Sequence, residues 1–142
     1  MIRHQMSVHI TQPVEQVFAC LVDPEKLMMW QSNLLKAENL TPGPVRPGSR
    51  FREVRRLGPR ETEVLAEVCE LELNRRLATK TSTKPDVRVS YSLAPEHGGT
   101  HLSYKFEMLP TGLMWLLQPL ISSSTRKQSD MDLAALKHML EG

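Results

Sequence analysis

A chain of 142 residues with 40% hydrophobic side chains is the size of one domain and can bury a substantial core. Its 18 basic and 16 acidic residues leave a formal charge of +2, too near balance to argue by itself for nucleic acid or a membrane surface. No stretch approaches 18 consecutive apolar residues, so no membrane-spanning helix is expected, and the two cysteines, Cys20 and Cys69, read as free thiols, neither a disulfide nor a metal site.

The first residues, Met1 to Gln5, lack the apolar core of a signal peptide and run straight into a strand pattern, so a cytoplasmic protein is expected. Met6, Val8 and Ile10 alternate with Ser7 and His9, giving a first strand. Pro13 stands at a favoured first helical position, and Val14, Val17, Phe18 and Leu21 form an apolar stripe. Asp23-Pro24-Glu25 starts a second short helix, with Asp as N-cap, Pro next and an acid in the first turn, ending near Trp30. Thr41 to Gly48 holds three prolines and two glycines and must be a loop.

Residues 50–71 read as a hairpin turning at Leu57-Gly58-Pro59-Arg60, and charge fixes its register. Pairing Arg56 with Glu61 sets Val54 opposite Glu63 and Phe51 opposite Ala66. One face then carries Arg52, Arg56, Glu61, Glu63 and Glu67, a wet face of cross-strand ion pairs. The other carries Phe51, Glu53, Arg55, Val64, Ala66 and Val68. A slip of one residue would expose the valines. The register turns Glu53 and Arg55 inward, where a carboxylate needs a partner.

A strand follows over 76–83, and the next shows Val87, Val89, Tyr91 and Leu93 on one face. After a turn at 95–99, Thr100, Leu102, Tyr104, Phe106 and Met108 alternate with His101, Ser103, Lys105 and Glu107. A long helix is expected over roughly 111–141, kinked at Pro119, with Leu113, Leu116, Leu117 and Leu120 as an apolar face. Ser122 to Ser129 contains no apolar residue, so whichever side of the helix faces inward there is polar; apolar contacts resume at Met131, Leu133, Leu136, Met139 and Leu140. The whole is α+β: a curved antiparallel sheet of about six or seven strands, two short helices after the first strand, and a long C-terminal helix. One helix cannot fill the space such a sheet encloses, so a cavity on the order of 300 Å³ or more is expected.

Several words of the sequence occur in a familiar order. Val8-His9-Ile10 is followed by Pro13-Val14-Glu15-Gln16-Val17-Phe18, and Asp23-Pro24-Glu25 leads to Trp30. Pro47-Gly48 precedes Phe51, Asn74-Arg75-Arg76-Leu77 opens a strand, Gly98-Gly99-Thr100 opens the last strand, and Leu136-Lys137 with Leu140-Glu141 closes the chain. Across nearly its whole length the chain resembles the polyketide cyclase/dehydrase group of the START-like (SRPBCC, birch-allergen-like) superfamily. The resemblance implies one helix-grip domain, residues 1–142, with a deep cavity for a small hydrophobic or amphipathic molecule. It carries no shared catalytic motif and no cofactor, so no catalytic residue transfers.

The candidate cavity wall is Trp30, Phe51, Tyr91, Tyr104, Phe106, Met108 and Trp115, with the tyrosine hydroxyls able to orient a ligand, although each residue could equally be plain core. Glu53 and Arg55 are the inward polar pair, either a structural ion pair or a ligand-orienting one. His4, His9, His97, His101 and His138 show no metal spacing and read as surface residues. The serines at 122–124 lack the glycines of a nucleophile elbow. Arg46, Arg50, Arg52, Arg55, Arg56 and Arg60 have only Phe51 for base stacking and face glutamates, which argues against nucleic acid. Three functions fit: a binder of a small apolar molecule, an enzyme acting on one, or a protein-interaction module. A homodimer is compatible with each.

Overall fold

The computed structural model describes all residues, Met1–Gly142. Strand β1 (Ile2–Ile10) is followed by helices α1 (Val14–Val22) and α2 (Pro24–Trp30), then by strands β2 (Leu34–Asn39), β3 (Arg50–Leu57), β4 (Arg60–Glu72), β5 (Arg76–Thr81), β6 (Asp86–Glu96) and β7 (Gly99–Leu109). A short 3₁₀ turn (Gly112–Trp115) leads into the long helix α3 (Gln118–Glu141).

All seven strands form one antiparallel sheet in the order β1-β7-β6-β5-β4-β3-β2. The chain therefore pairs with its sequence neighbour everywhere except across α1 and α2, which carry it from one edge of the sheet to the other. Thr100, Leu102, Tyr104, Phe106 and Met108 stand opposite Ile10, Val8, Met6, His4 and Ile2 of β1, so one parity of β7 and β1 faces the helix. The β3–β4 hairpin has the register that charge alone selects, with Phe51 opposite Ala66, Val54 opposite Glu63 and Arg56 opposite Glu61. On its outer face Arg52 reaches Glu38 at 3.5 Å and Glu63 at 3.7 Å.

The core gathers where α1, α2 and the C-terminal half of α3 meet the sheet: Ile10, Val17, Phe18, Leu21, Trp30, Leu102, Leu133 and Leu136 are all buried. Asp23 caps α2 by accepting from the Glu25 backbone N–H at 3.0 Å. The end of α3 is tied to the β1–α1 junction. Glu141 accepts from the Thr11 backbone N–H at 2.8 Å and its hydroxyl at 2.7 Å, Gln12 donates to the Leu140 carbonyl at 2.9 Å, and Lys137 donates to the His9 carbonyl.

Four expectations need correction. The helix does not run from 111: strand β7 loses its neighbours at Leu109, and the chain makes a separate 3₁₀ turn before Pro119, in the first turn of α3, starts the helix without kinking it. Leu113, Leu116, Leu117 and Leu120 form no buried face, because beyond the sheet's end nothing lies opposite them. His4 is not a surface residue but 3% exposed, since it shares the parity of Met6, Val8 and Ile10 and so turns inward. Met131, expected to pack, is half exposed. Strand β2 is absent from the patterns named above: its residues Leu34 to Asn39 carry no clean alternation, and a bulge at Leu34/Lys36 interrupts its register.

Candidate functional site: the cavity under the C-terminal helix

A cavity of about 300 Å³ lies between the sheet and α3. At one end its lining is the buried core, with Leu21, Trp30, Tyr91 and Leu133. At the other it reaches exposed residues, Leu57 at the β3–β4 tip, Glu63, and Lys84 between β5 and β6. The cavity is thus closed at the α1–α2 end and opens where β3–β4 and β5–β6 turn.

Its wall is built by alternation. Val87, Val89 and Tyr91 of β6 and Tyr104, Phe106 and Met108 of β7 project to the same side from adjacent strands in register. Trp30 meets Tyr91 edge-on at 6.4 Å, with its indole N–H donated to the Cys20 carbonyl at 3.0 Å, and Tyr91 lies 5.4 Å from Tyr104. Burial pushes both tyrosine hydroxyls up, Tyr91 well above the ordinary phenol value, so both are neutral and able to donate at physiological pH.

Two polar groups interrupt this apolar wall. Arg55 donates from Nε to Glu53 Oε1 at 2.9 Å, from Nη1 to Asn33 at 3.0 Å and from Nη2 to Gln31 at 2.9 Å. Glu53 is buried, so the guanidinium fork supplies the partner that an inward carboxylate requires. The second is the polar half of α3. Thr125, Gln128, Ser129 and Asp132, at helical spacing, all line the cavity. The Tyr104 and Ser129 hydroxyls are 3.0 Å apart, and Asp132 accepts from Gln128 at 2.9 Å and from the Ser32 backbone N–H at 3.2 Å. Burial raises the Asp132 carboxyl, and the hydrogen bonds from Ser32 and Gln128 draw it partly back.

His4 closes this side. It stacks on Phe106 at 5.7 Å, and its Nε2 is 2.9 Å from the Thr125 hydroxyl. That hydroxyl donates to the Ser122 carbonyl at 3.1 Å, so His4 is the donor to Thr125. Its other nitrogen, Nδ1, is buried without a partner. Burial first and Arg126 second lower the His4 pKa, with Asp130 and a Ser122 backbone contact opposing.

Of the residues expected at the site, Trp30, Glu53, Arg55, Tyr91, Tyr104, Phe106 and Met108 converge on the cavity. Phe51 faces the same way but is buried in the core behind the wall and does not line it. Trp115 is half exposed on the 3₁₀ turn and lies outside the lining, because the chain leaves the sheet when β7 ends at Leu109. Asp132, Gln128, Gln31, Asn33 and Thr125 line it unforeseen. For Thr125 and Gln128 a signal exists in the sequence: the all-polar stretch Ser122 to Ser129 within a long helix must present some polar side chain inward, whereas Asp132 lies beyond it.

The architecture is that of the helix-grip fold. Among solved structures, a protein of Thermus thermophilus superposes with a TM-score of 0.81 at 19% identity, covering 97% of this chain and 96% of its own. A START superfamily protein from Mycobacterium smegmatis gives 0.80 at 14% identity, covering 98% and 97%, and Ara h 8.0201 gives 0.73 at 11%, covering 97% and 96%. No curated protein sequence matches the chain. Residues 1–141 match the family described as polyketide cyclase / dehydrase and lipid transport, and the chain belongs to that family.

Proposed function

We propose that this protein binds one small amphipathic molecule in the cavity between the sheet and α3. The carrying observation is the composition of the lining: 14 of its 30 residues are hydrophobic, so an apolar wall faces a polar stripe across one space. An all-apolar ligand would leave the remaining hydrogen-bonding capacity on this stripe, such as Asp132 Oδ2, facing it without water, which costs free energy. A ligand with an apolar body and a few hydroxyl or carbonyl groups satisfies both sides. Tyr91 and Tyr104 are the orienting donors, Trp30 and Phe106 the apolar contacts, and Glu53–Arg55 a neutralised pair that offers a charged ligand no counter-ion.

A second reading, an enzyme acting on such a molecule, draws support from Asp132. A carboxyl raised by burial inside a cavity is a general acid or base candidate, and it is better placed on α3 than Glu53, which Arg55 engages.

Native mass spectrometry of protein purified from cell extract tests the binding reading. The expected result is an added mass that is lost on denaturation. A bare protein that no amphipathic compound from a broad panel stabilises against heat would overturn it.

A further inference from the structure

The run from the end of β7 into the first turn of α3 carries the two most exposed large apolar side chains of the molecule, Leu113 and Leu116, and three more beside them. Leu113 is 77% exposed, Leu116 79% and Leu120 69%, with Trp115 and Leu117 at least half exposed between them. Single exposed leucines are ordinary, but five large apolar groups exposed within eight residues are a concentration of apolar surface that water penalises. Strand β7 ends at Leu109 opposite Asp86, beside the β5–β6 turn where the cavity opens, so the segment leaves the sheet at that end of the site.

We propose that the 113–120 turn is a docking surface for an anionic lipid membrane, placed beside the mouth of the cavity. Charge points to this occupant. Between Glu107 and Asp130 the only ionisable side chains are Arg126 and Lys127, both exposed. Lys127 follows Leu120 by seven residues and so lies on the same stripe of α3, about 10 Å further along at 1.5 Å per residue. Leucines and a tryptophan sunk to the acyl boundary would leave that ammonium at the level of the lipid phosphates. Two carboxylates on the sheet side of the mouth are engaged, Asp86 by Lys84 at 2.9 Å and Glu63 by Arg52 at 3.7 Å. A second copy of the chain fits less well. A two-fold contact centred on this turn would bring both copies' Arg126 and Lys127 together with no carboxylate in the segment to offset them.

Flotation with vesicles tests this without any cavity ligand, so its failure is separate from failure of the binding reading. Wild type is expected to float with phosphatidylcholine–phosphatidylglycerol vesicles, and far less with phosphatidylcholine alone or in high salt. The double variant Leu116→Asp, Leu120→Asp alters exposed positions only; it should keep its circular dichroism and lose flotation. Lys127→Glu should weaken binding roughly tenfold or more, given about 1 kcal/mol per basic residue near an anionic surface. Absence of wild-type flotation, or flotation unchanged in the double variant, would overturn the proposal. So would a dimer in sedimentation velocity that the double variant dissolves, since a second copy would then own the patch.

Discussion

Glu53 shows how far one inward charge can be argued from neighbours. Its direction follows from Arg56 and Glu61 on the opposite face, and the structure gives it the Arg55 fork, itself held by Asn33 and Gln31. Glu53→Gln keeps the shape and an acceptor oxygen but removes the charge. A hydrogen bond to a charged group contributes about 1.5–3 kcal/mol, and at this chain length each kcal/mol corresponds to roughly 3–4 °C in Tm. The variant should therefore melt several degrees lower with or without ligand. An unchanged melt with a weakened ligand titration would instead give Glu53 to the ligand. The same residue-level logic fails for His4. Its parity with Met6 is readable, but a lone histidine near a terminus carries no pattern of its own, and its partner Thr125 lies 121 residues away.

At the scale of elements, alternation makes most of the sheet legible: every strand from β3 to β7 has a readable pattern, and ion pairs fix the β3–β4 register. β2 does not, because an edge strand with a bulge needs no regular apolar face. The start of α3 is missed for a different reason. Leucine periodicity at 113–120 resembles a buried helix, and only the tertiary fact that the sheet stops at Leu109 leaves it bare. The two halves of α3 are also unequally held. From Leu133 on it has two buried leucines and the Glu141, Gln12 and Lys137 ties, whereas residues 118–128 contain no fully buried side chain. Native-state amide exchange should accordingly be faster over 121–128 than over 133–140. Equal protection in both halves would show that the helix opens only as a unit.

Over the whole molecule, stability should depend on pH in two stages. His4 has a folded pKa below its ordinary 6.5, so the unfolded chain takes up the proton first and stability is lost as pH falls through 6.5 toward the folded value. Burial is the main cause, with the Arg126 charge adding to it, and a second N–H on Nδ1 would find no protein partner to receive it. Between pH 7.5 and 5.5 Tm should fall in wild type and fall less in His4→Gln; parallel slopes would remove His4 from the account. Lower still, Glu141, held at about 2 by Thr11 and Lys137, gives up its ties as pH drops below the ordinary carboxylate range. Asp132, raised by burial, works in the opposite sense there. The chain has only two tryptophans, and the fold sets one in the cavity wall and the other outside it. Trp30 sits in the closed end, hydrogen-bonded to the Cys20 carbonyl and edge-on to Tyr91, while Trp115 is half exposed beyond the sheet. Their emission therefore divides by location. A water-borne quencher extinguishes Trp115 first, and the remaining light reports on Trp30 alone. Filling of the interior and contact at the rim can be followed as separate optical signals in the unlabelled protein.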